Sequence, residues 1–129
     1  MLTSFVHSAE MGRSVVQVLV YSQTPIWDAP WRNNSVGASS GSGFVIKGNR
    51  VMTNAHVVGW AKQIVLRRFQ DPRPWLAQVE HISHECDLAI LKVETPGFFE
   101  GLDSLSIGEL PKVQSPVITC GYPSGGEQI

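Results

Sequence analysis

Short runs of apolar residues recur along the chain, and turn residues separate them. Residues 76–83 alternate between apolar and polar side chains, which is typical of a strand with one buried face. Residues 15–21 are rich in β-branched side chains, which favour extended backbone. The pattern predicts strands at residues 15–21, 39–46, 50–53, 63–69, 76–83, 88–93 and 113–120, with one short helical turn at 55–58.

These elements predict an all-β protein. Six or seven short strands joined by turns are the pattern of a barrel or a sandwich, and no amphipathic helix of any length is visible. The 129 residues suffice for one domain with a buried core.

The segment 22–40 breaks the strand pattern and is expected to be a long loop. It carries two prolines together with Trp27 and Trp31. Long loops in compact domains are often functional. The two tryptophans either cap the core of the domain itself or anchor a neighbouring subunit, because aromatic side chains are enriched at interface hot spots.

Composition and charge exclude several classes of function. Hydrophobic residues make up 43% of the chain and charged ones 16%, which is an ordinary globular composition. The net charge is −1 and the basic residues are scattered, so a nucleic-acid partner is not expected. No apolar run reaches the 18 residues of a membrane span.

Cys86 and Cys120 lie outside any Cys-x-x-Cys motif and are expected to be buried thiols.

Two polar residues at strand ends are the candidate catalytic pair. His56 comes shortly after the strand predicted at residues 50–53, and Asp87 immediately precedes the strand predicted at residues 88–93. A carboxylate bonded to one nitrogen of an imidazole fixes its tautomer and lets the other nitrogen act as a base. The pair would supply the base and its orienting acid to a nucleophilic hydrolase.

Ser42 is a candidate nucleophile by residue type alone. It lies between Gly41 and Gly43 and enters a predicted strand, whereas a nucleophilic serine is expected on an exposed turn beside its base. We therefore interpret the two glycines as positions that let the backbone pass close to something, either at a bulge or against another strand.

A zinc site is an alternative for one cluster. His81, His84, Cys86 and Asp87 fall within seven residues, and their side chains are all possible zinc ligands. In an extended strand, however, two residues three positions apart project to opposite faces. The alternative, a small metal-binding β-domain, therefore requires the connector after His81 to curl.

Four motifs in order resemble the trypsin-like serine proteases of the HtrA/Deg family, most of all the plant organellar type and its bacterial relatives. They are Gly-Ser-Gly-Phe-Val-Ile at 41–46, Thr-Asn-Ala-His-Val-Val at 53–58, Asp-Leu-Ala-Ile-Leu-Lys-Val at 87–93, and Gly-Tyr-Pro-x-Gly-Gly at 121–126. The resemblance covers the chain from about residue 13 to its end, and it implies that residues 13–129 form the domain and residues 1–12 an N-terminal extension. It implies that His56 is the general base and Asp87 the acid that orients it.

The resemblance also implies a fold and a set of partners. The fold would be an antiparallel Greek-key barrel of six to seven strands, one half of a double-barrel protease domain. Members of the family need no metal or organic cofactor, cleave unfolded or damaged proteins, and commonly form trimers. Many carry C-terminal PDZ domains. The family places the protein in an extracytoplasmic compartment, such as the bacterial periplasm, or in an organelle.

One family motif is missing from these residues. The nucleophile of the family lies in Gly-Asn-Ser-Gly-Gly in the second barrel, and no such motif occurs in the sequence. Ser124 precedes two glycines, but it matches the variable position of the Tyr-Pro-x-Gly-Gly turn. We therefore expect these residues to be the half of a serine endopeptidase that carries the catalytic His and Asp, and to be inactive alone. The alternative is a non-catalytic binding or scaffold module that kept the barrel.

Overall fold

The computed structural model describes residues 11–123 and 129, and it is built mainly from β-strands. In chain order its elements are β1 (Val15–Ser22), β2 (Pro25–Ile26), β3 (Ala29–Asn33), β4 (Gly37–Ile46), β5 (Arg50–Thr53), α1 (Ala55–Val58), β6 (Ala61–Arg67), β7 (Trp75–Ser83) and β8 (Leu88–Val93). The six strands predicted between residues 15 and 93 are thus present as β1 and β4 to β8, and so is the helical turn before β6, with ends that differ by a few residues.

Six of the strands close into an antiparallel barrel. Their order around the barrel is β1-β4-β5-β8-β7-β6, and β1 closes the ring because it pairs with both β4 and β6. The prediction of an all-β antiparallel barrel is confirmed.

Aliphatic side chains fill the barrel. Val16, Val18 and Val20 of β1 are almost completely buried, since every second residue of a strand points to the same face. The rest of the core cluster consists of Val45, Val51, Val58, Ile64, Leu66, Ala77, Ala89, Leu91 and Phe98. Members of this cluster come from every strand of the barrel and from α1, so the short helix that carries His56 is anchored in the core.

The stretch after β8 packs over one part of this core. Phe98 is fully buried and makes edge-to-face contacts with Trp75 and Phe99, at centroid distances of 5.5 and 4.8 Å. The Arg68 guanidinium donates to the carbonyl oxygens of Gly97 and Glu100, at 3.3 and 2.9 Å. The predicted strand 63–69 therefore ends at Arg67, because Arg68 is directed toward this loop.

The prediction of a long loop at residues 22–40 is partly wrong. It contains the two-stranded sheet of β2 and β3, and β4 already begins at Gly37. Side-chain bonds stabilise the base of the hairpin, where the Asn34 amide donates to Thr24 Oγ1 at 2.9 Å. Trp27 and Trp31 are 84% and 81% exposed, so they do not cap the core.

The prediction of a last strand at residues 113–120 is wrong. The segment forms no strand, and Val113 and Ile118 are 93% and 87% exposed. Its β-branched residues have the right propensity, but β1 and β6 already pair with each other. A closed barrel has no free edge to which a further strand could add.

The expectation of buried thiols is also wrong. Cys86 and Cys120 are both exposed and unpaired with each other. Cys86 lies in the turn between β7 and β8, and Cys120 in the stretch without regular structure, so neither belongs to the barrel wall. Within the described part of the chain, no helix has the length and apolar character needed to cross a bilayer.

Candidate active site

Two neighbouring strands bring the candidate catalytic residues together. β5 pairs with β8, and Thr53 lies opposite Ala89. The chain leaves β5 directly into α1, which carries His56, while Asp87 immediately precedes β8. The two residues are 31 positions apart in sequence, yet they meet at the same end of the adjoining strands.

The His56–Asp87 pair has the geometry of a base with its orienting acid. Nδ1 of His56 lies 2.7 Å from Oδ2 of Asp87. The backbone N–H of His56 donates to the other carboxylate oxygen, Oδ1, at 2.9 Å. When Nδ1 keeps its proton and donates a hydrogen bond to the carboxylate, Nε2 carries the lone pair and can accept a proton from a nucleophile.

Three donors surround the Asp87 carboxylate. The bond from the backbone N–H of His56 lowers the pKa of Asp87 most, followed by the bond to the His56 ring, and the side-chain amide of Asn54 adds to both. Hydrogen bonds to the charged form of an acid favour that form. Asp87 is therefore ionised at neutral pH, as an acid that stabilises an imidazolium must be.

The pair is open to solvent. The side chains of His56 and Asp87 are 71% and 45% exposed. The imidazole ring of His56 is therefore accessible to a reacting group that approaches from outside the barrel. The described residues thus present an accessible imidazole that the Asp87 carboxylate already orients.

Close packing fixes the helix that carries His56. A Cβ atom on Gly41 would lie 2.8 Å from both γ-methyl carbons of Val57, so only glycine lets β4 approach α1 this closely. A Cβ atom on Gly43 would similarly lie 2.9 Å from Val51 Cγ1. The prediction that these glycines mark close approaches is confirmed.

Ser42, between these glycines, makes structural hydrogen bonds. Its carbonyl oxygen accepts from Thr53 Oγ1 at 2.8 Å, and its hydroxyl oxygen accepts from the backbone N–H of Tyr122, also at 2.8 Å. Ser42 therefore connects the end of β5 to the later segment around Tyr122. Ser124, the other serine considered, lies outside the described residues.

The alternative metal cluster does not assemble. Among the described residues no group of three or more His, Cys, Asp and Glu side chains could hold a metal ion. The β7–β8 pairing has an irregularity between Val79 and His81, and His81 Nε2 lies 3.8 Å from Glu80. Asp87 is instead directed toward His56. These contacts favour the catalytic interpretation of Asp87 over the zinc alternative.

Asn54 is a site residue that the sequence did not reveal. Its amide donates to the backbone oxygen of Asp87 at 3.1 Å and to Oδ2 at 3.3 Å. The sequence does show a polar residue two positions before His56, but an Asn at the start of a helix usually caps that helix. The contact with Asp87 depends on the β5–β8 pairing, which the local sequence does not show.

Comparison with known proteins agrees with this geometry. Residues 41–129 match the family described as a trypsin-like peptidase domain. The chain belongs to the trypsin-like peptidase family. The crystal structure of the Rv3671c protease from M. tuberculosis, in its active form, aligns with 98% of the chain at a TM-score of 0.63 and 28% identity, and the chain covers 49% of that structure.

Two curated relatives of this trypsin-like chain come from Arabidopsis thaliana. The chain is 42% identical to Protease Do-like 4, mitochondrial, and 36% identical to Protease Do-like 2, chloroplastic, over 90% and 96% of its length. It spans 22% and 20% of the lengths of these two proteins. The predicted resemblance to the HtrA/Deg proteases of plant organelles is confirmed.

Proposed function

We propose that these residues form the N-terminal barrel of a serine endopeptidase of the HtrA/Deg type, in which His56 is the general base and Asp87 orients it. The contact of 2.7 Å between His56 Nδ1 and Asp87 Oδ2 carries the proposal. The relatedness to Do-like proteases supports it. In this proposal residues 13–129 are one half of a double-barrel domain, and residues 1–12 are an extension.

The proposed reaction needs a serine from another part of the enzyme. Its hydroxyl attacks the scissile carbonyl carbon while His56 Nε2 takes the hydroxyl proton. Asp87 stabilises the resulting imidazolium, which then donates that proton to the leaving amine. An acyl-enzyme forms as the peptide bond breaks, and water hydrolyses it in a second step of the same kind.

The partners follow from the same proposal. The substrates are unfolded or damaged proteins, and the intact enzyme works as a homotrimer in an organelle. Two relatives named as mitochondrial and chloroplastic support the compartment. Trp27 and Trp31, exposed on the β2–β3 hairpin, are our candidates for contacts between subunits.

The test is proteolysis by the protein made from the complete reading frame that contains these residues. We expect it to degrade unfolded casein, and His56→Ala to remove that activity by about 10³-fold or more. His81→Ala is the matched control, because its side chain is 68% exposed and contacts Glu80 rather than Asp87. Equal activity of His56→Ala and the unmodified protein would refute the proposal. A folded protein without cleavage that still bound casein would support the binding-module alternative.

A further inference from the structure

Asn54 occupies the N-cap position of α1 but does not cap it. Its backbone is extended, with φ −80° and ψ 145°, as expected for an N-cap residue, yet its side chain makes no capping hydrogen bond. Asparagine is among the best N-cap residues because its side-chain oxygen can accept from a free N–H of the first turn. At this position a favourable local interaction is left unused.

The unused cap is explained by Asp87. The Asn54 amide donates to the backbone oxygen of Asp87 at 3.1 Å and to its Oδ2 at 3.3 Å. Asp87 Oδ1 in turn accepts the first-turn N–H of His56 at 2.9 Å. The Asp87 carboxylate, which lies just before β8, thus takes the capping role, and Asn54 holds that carboxylate in place.

Asp87 needs such support because of its backbone. Its φ is 53°, in the left-handed region that non-glycine residues enter rarely, although Asp tolerates it better than most. A bond to the backbone oxygen of Asp87 stabilises this conformation, and a bond to Oδ2 limits rotation of the carboxylate. The two bonds from one amide therefore fix both the main chain and the side chain of the same residue.

We propose that Asn54 is a positioning residue for the His56–Asp87 pair, and that its amide keeps Asp87 Oδ2 directed at the imidazole. The inference rests on the proposed function of the pair. A neutral donor suits the task, because it orients the carboxylate without supplying a positive charge. A lysine or arginine there would compete with the imidazolium that Asp87 has to stabilise.

Two variants separate positioning from capping. Serine at position 54 can cap a helix but is too short to bond Asp87 as the amide does, and alanine can do neither. If Asn54 positions Asp87, Asn54→Ser and Asn54→Ala both raise the titration midpoint of the Asp87 carboxyl carbon, measured by ¹³C NMR on the 129-residue chain. If Asn54 serves as a cap, the serine variant behaves like the unmodified chain and the proposal is overturned.

A measurement on the unmodified chain covers the case in which the variants fail to fold. The side-chain amide protons of Asn54 should shift with pH and follow the same midpoint as the Asp87 carboxyl carbon. An Asn54 amide that does not respond as Asp87 titrates would overturn the proposal.

Activity distinguishes this inference from the function on which it rests. In the protein from the complete reading frame, both variants should lower kcat for casein on the order of 10²-fold with little effect on KM, as expected when a reacting group is slightly misplaced. Activity that needs His56 but is unchanged in both variants would overturn the role of Asn54 and leave the protease function intact. NMR shifts as expected, without cleavage by the unmodified protein, would support the Asn54 contact and count against the protease function.

Discussion

Asp87 contacts His56 twice, through the ring nitrogen at 2.7 Å and through the backbone N–H at 2.9 Å. Each carboxylate oxygen serves one of the two contacts. The imidazole is therefore fixed relative to its own helix by the same group that selects its tautomer. Because the carboxylate precedes β8 and the helix follows β5, this arrangement depends on the register of those two strands.

Replacing Asp87 with asparagine should leave the shape of the site and remove its function. An amide can donate to Nδ1 and so favour the wrong tautomer, in which Nε2 carries the proton and cannot act as a base. We expect Asp87→Asn to lower kcat for casein by about 10⁴-fold in the protein from the complete reading frame. Asp103→Asn, a carboxylate outside the pair, is the control and should retain activity. Comparable kcat values for the two variants would argue against the assigned role of Asp87.

Stability should fall in acid because two carboxylates are held in their charged form. Hydrogen bonds from the Arg73 side chain and backbone lower the pKa of Asp71 from 3.8 to about 2, and the contacts with His56 lower the pKa of Asp87. A lowered folded-state pKa contributes stability that is complete above the unfolded-state value and is lost as the pH falls toward the folded-state value. Urea unfolding should therefore show a decreasing free energy of unfolding between about pH 4 and pH 2.

Asp71→Asn tests the source of this pH dependence. The variant keeps the turn but loses the ion pair with Arg73, whose Nη2 lies 2.8 Å from Oδ2. We expect it to be less stable than the unmodified chain at pH 7 and to lose less stability on acidification. An unchanged slope between about pH 4 and pH 2 would mean that Asp71 does not contribute to it.

Gly43→Ala should destabilise the barrel. The added Cβ would lie 2.9 Å from Val51 Cγ1, 3.0 Å from the Met52 carbonyl oxygen and 3.2 Å from Val18 Cγ2. Overpacking of this kind costs about 1–3 kcal/mol of unfolding free energy. Gly108→Ala is the matched control: no atom lies within 4 Å of the added Cβ, and we expect a change within about 0.5 kcal/mol. Equal unfolding free energies for the two variants would contradict the close approach of β4 and β5.

Trp27 and Trp31 should matter for assembly and not for folding. Both are more than 80% exposed, so Trp27→Ser combined with Trp31→Ser should leave the unfolding free energy of the chain nearly unchanged. In the protein from the complete reading frame, sedimentation velocity should show a trimer that the double variant shifts to a monomer. Trp60→Asn is the control, an exposed tryptophan outside the hairpin with a left-handed φ of 57° that asparagine tolerates. A trimer that survives the double substitution would exclude the hairpin as the contact.

The sequence predicted those features that depend on short-range pattern. Alternation and β-branched residues identified the strands of the barrel, and the motifs around His56 and Asp87 identified the pair that the fold brings into contact. The failures have non-local causes. The segment 113–120 has the propensity of a strand, but only the closure of the barrel shows that it has no edge to join.

Two other errors have the same origin. The β2–β3 hairpin is stabilised by bonds between Thr24 and Asn34, ten positions apart, in a segment whose prolines suggested a loop. The role of Asn54 could not be predicted because its usual partner would be its own helix. Its actual partner, Asp87, is 33 positions away and becomes a neighbour only when β5 and β8 pair.

The closure of the barrel by β1 has a consequence for biosynthesis. Gln17 of β1 pairs with Arg67 of β6. One edge of the first strand therefore has no partner until β6 has been synthesised, about 50 residues later. At roughly 5–20 residues per second on the ribosome, that edge stays unpaired for about 3–10 s in the nascent chain. An apolar strand with a free edge is prone to pair with other chains. The first strand is therefore a segment of the nascent protein to which we expect a chaperone to bind.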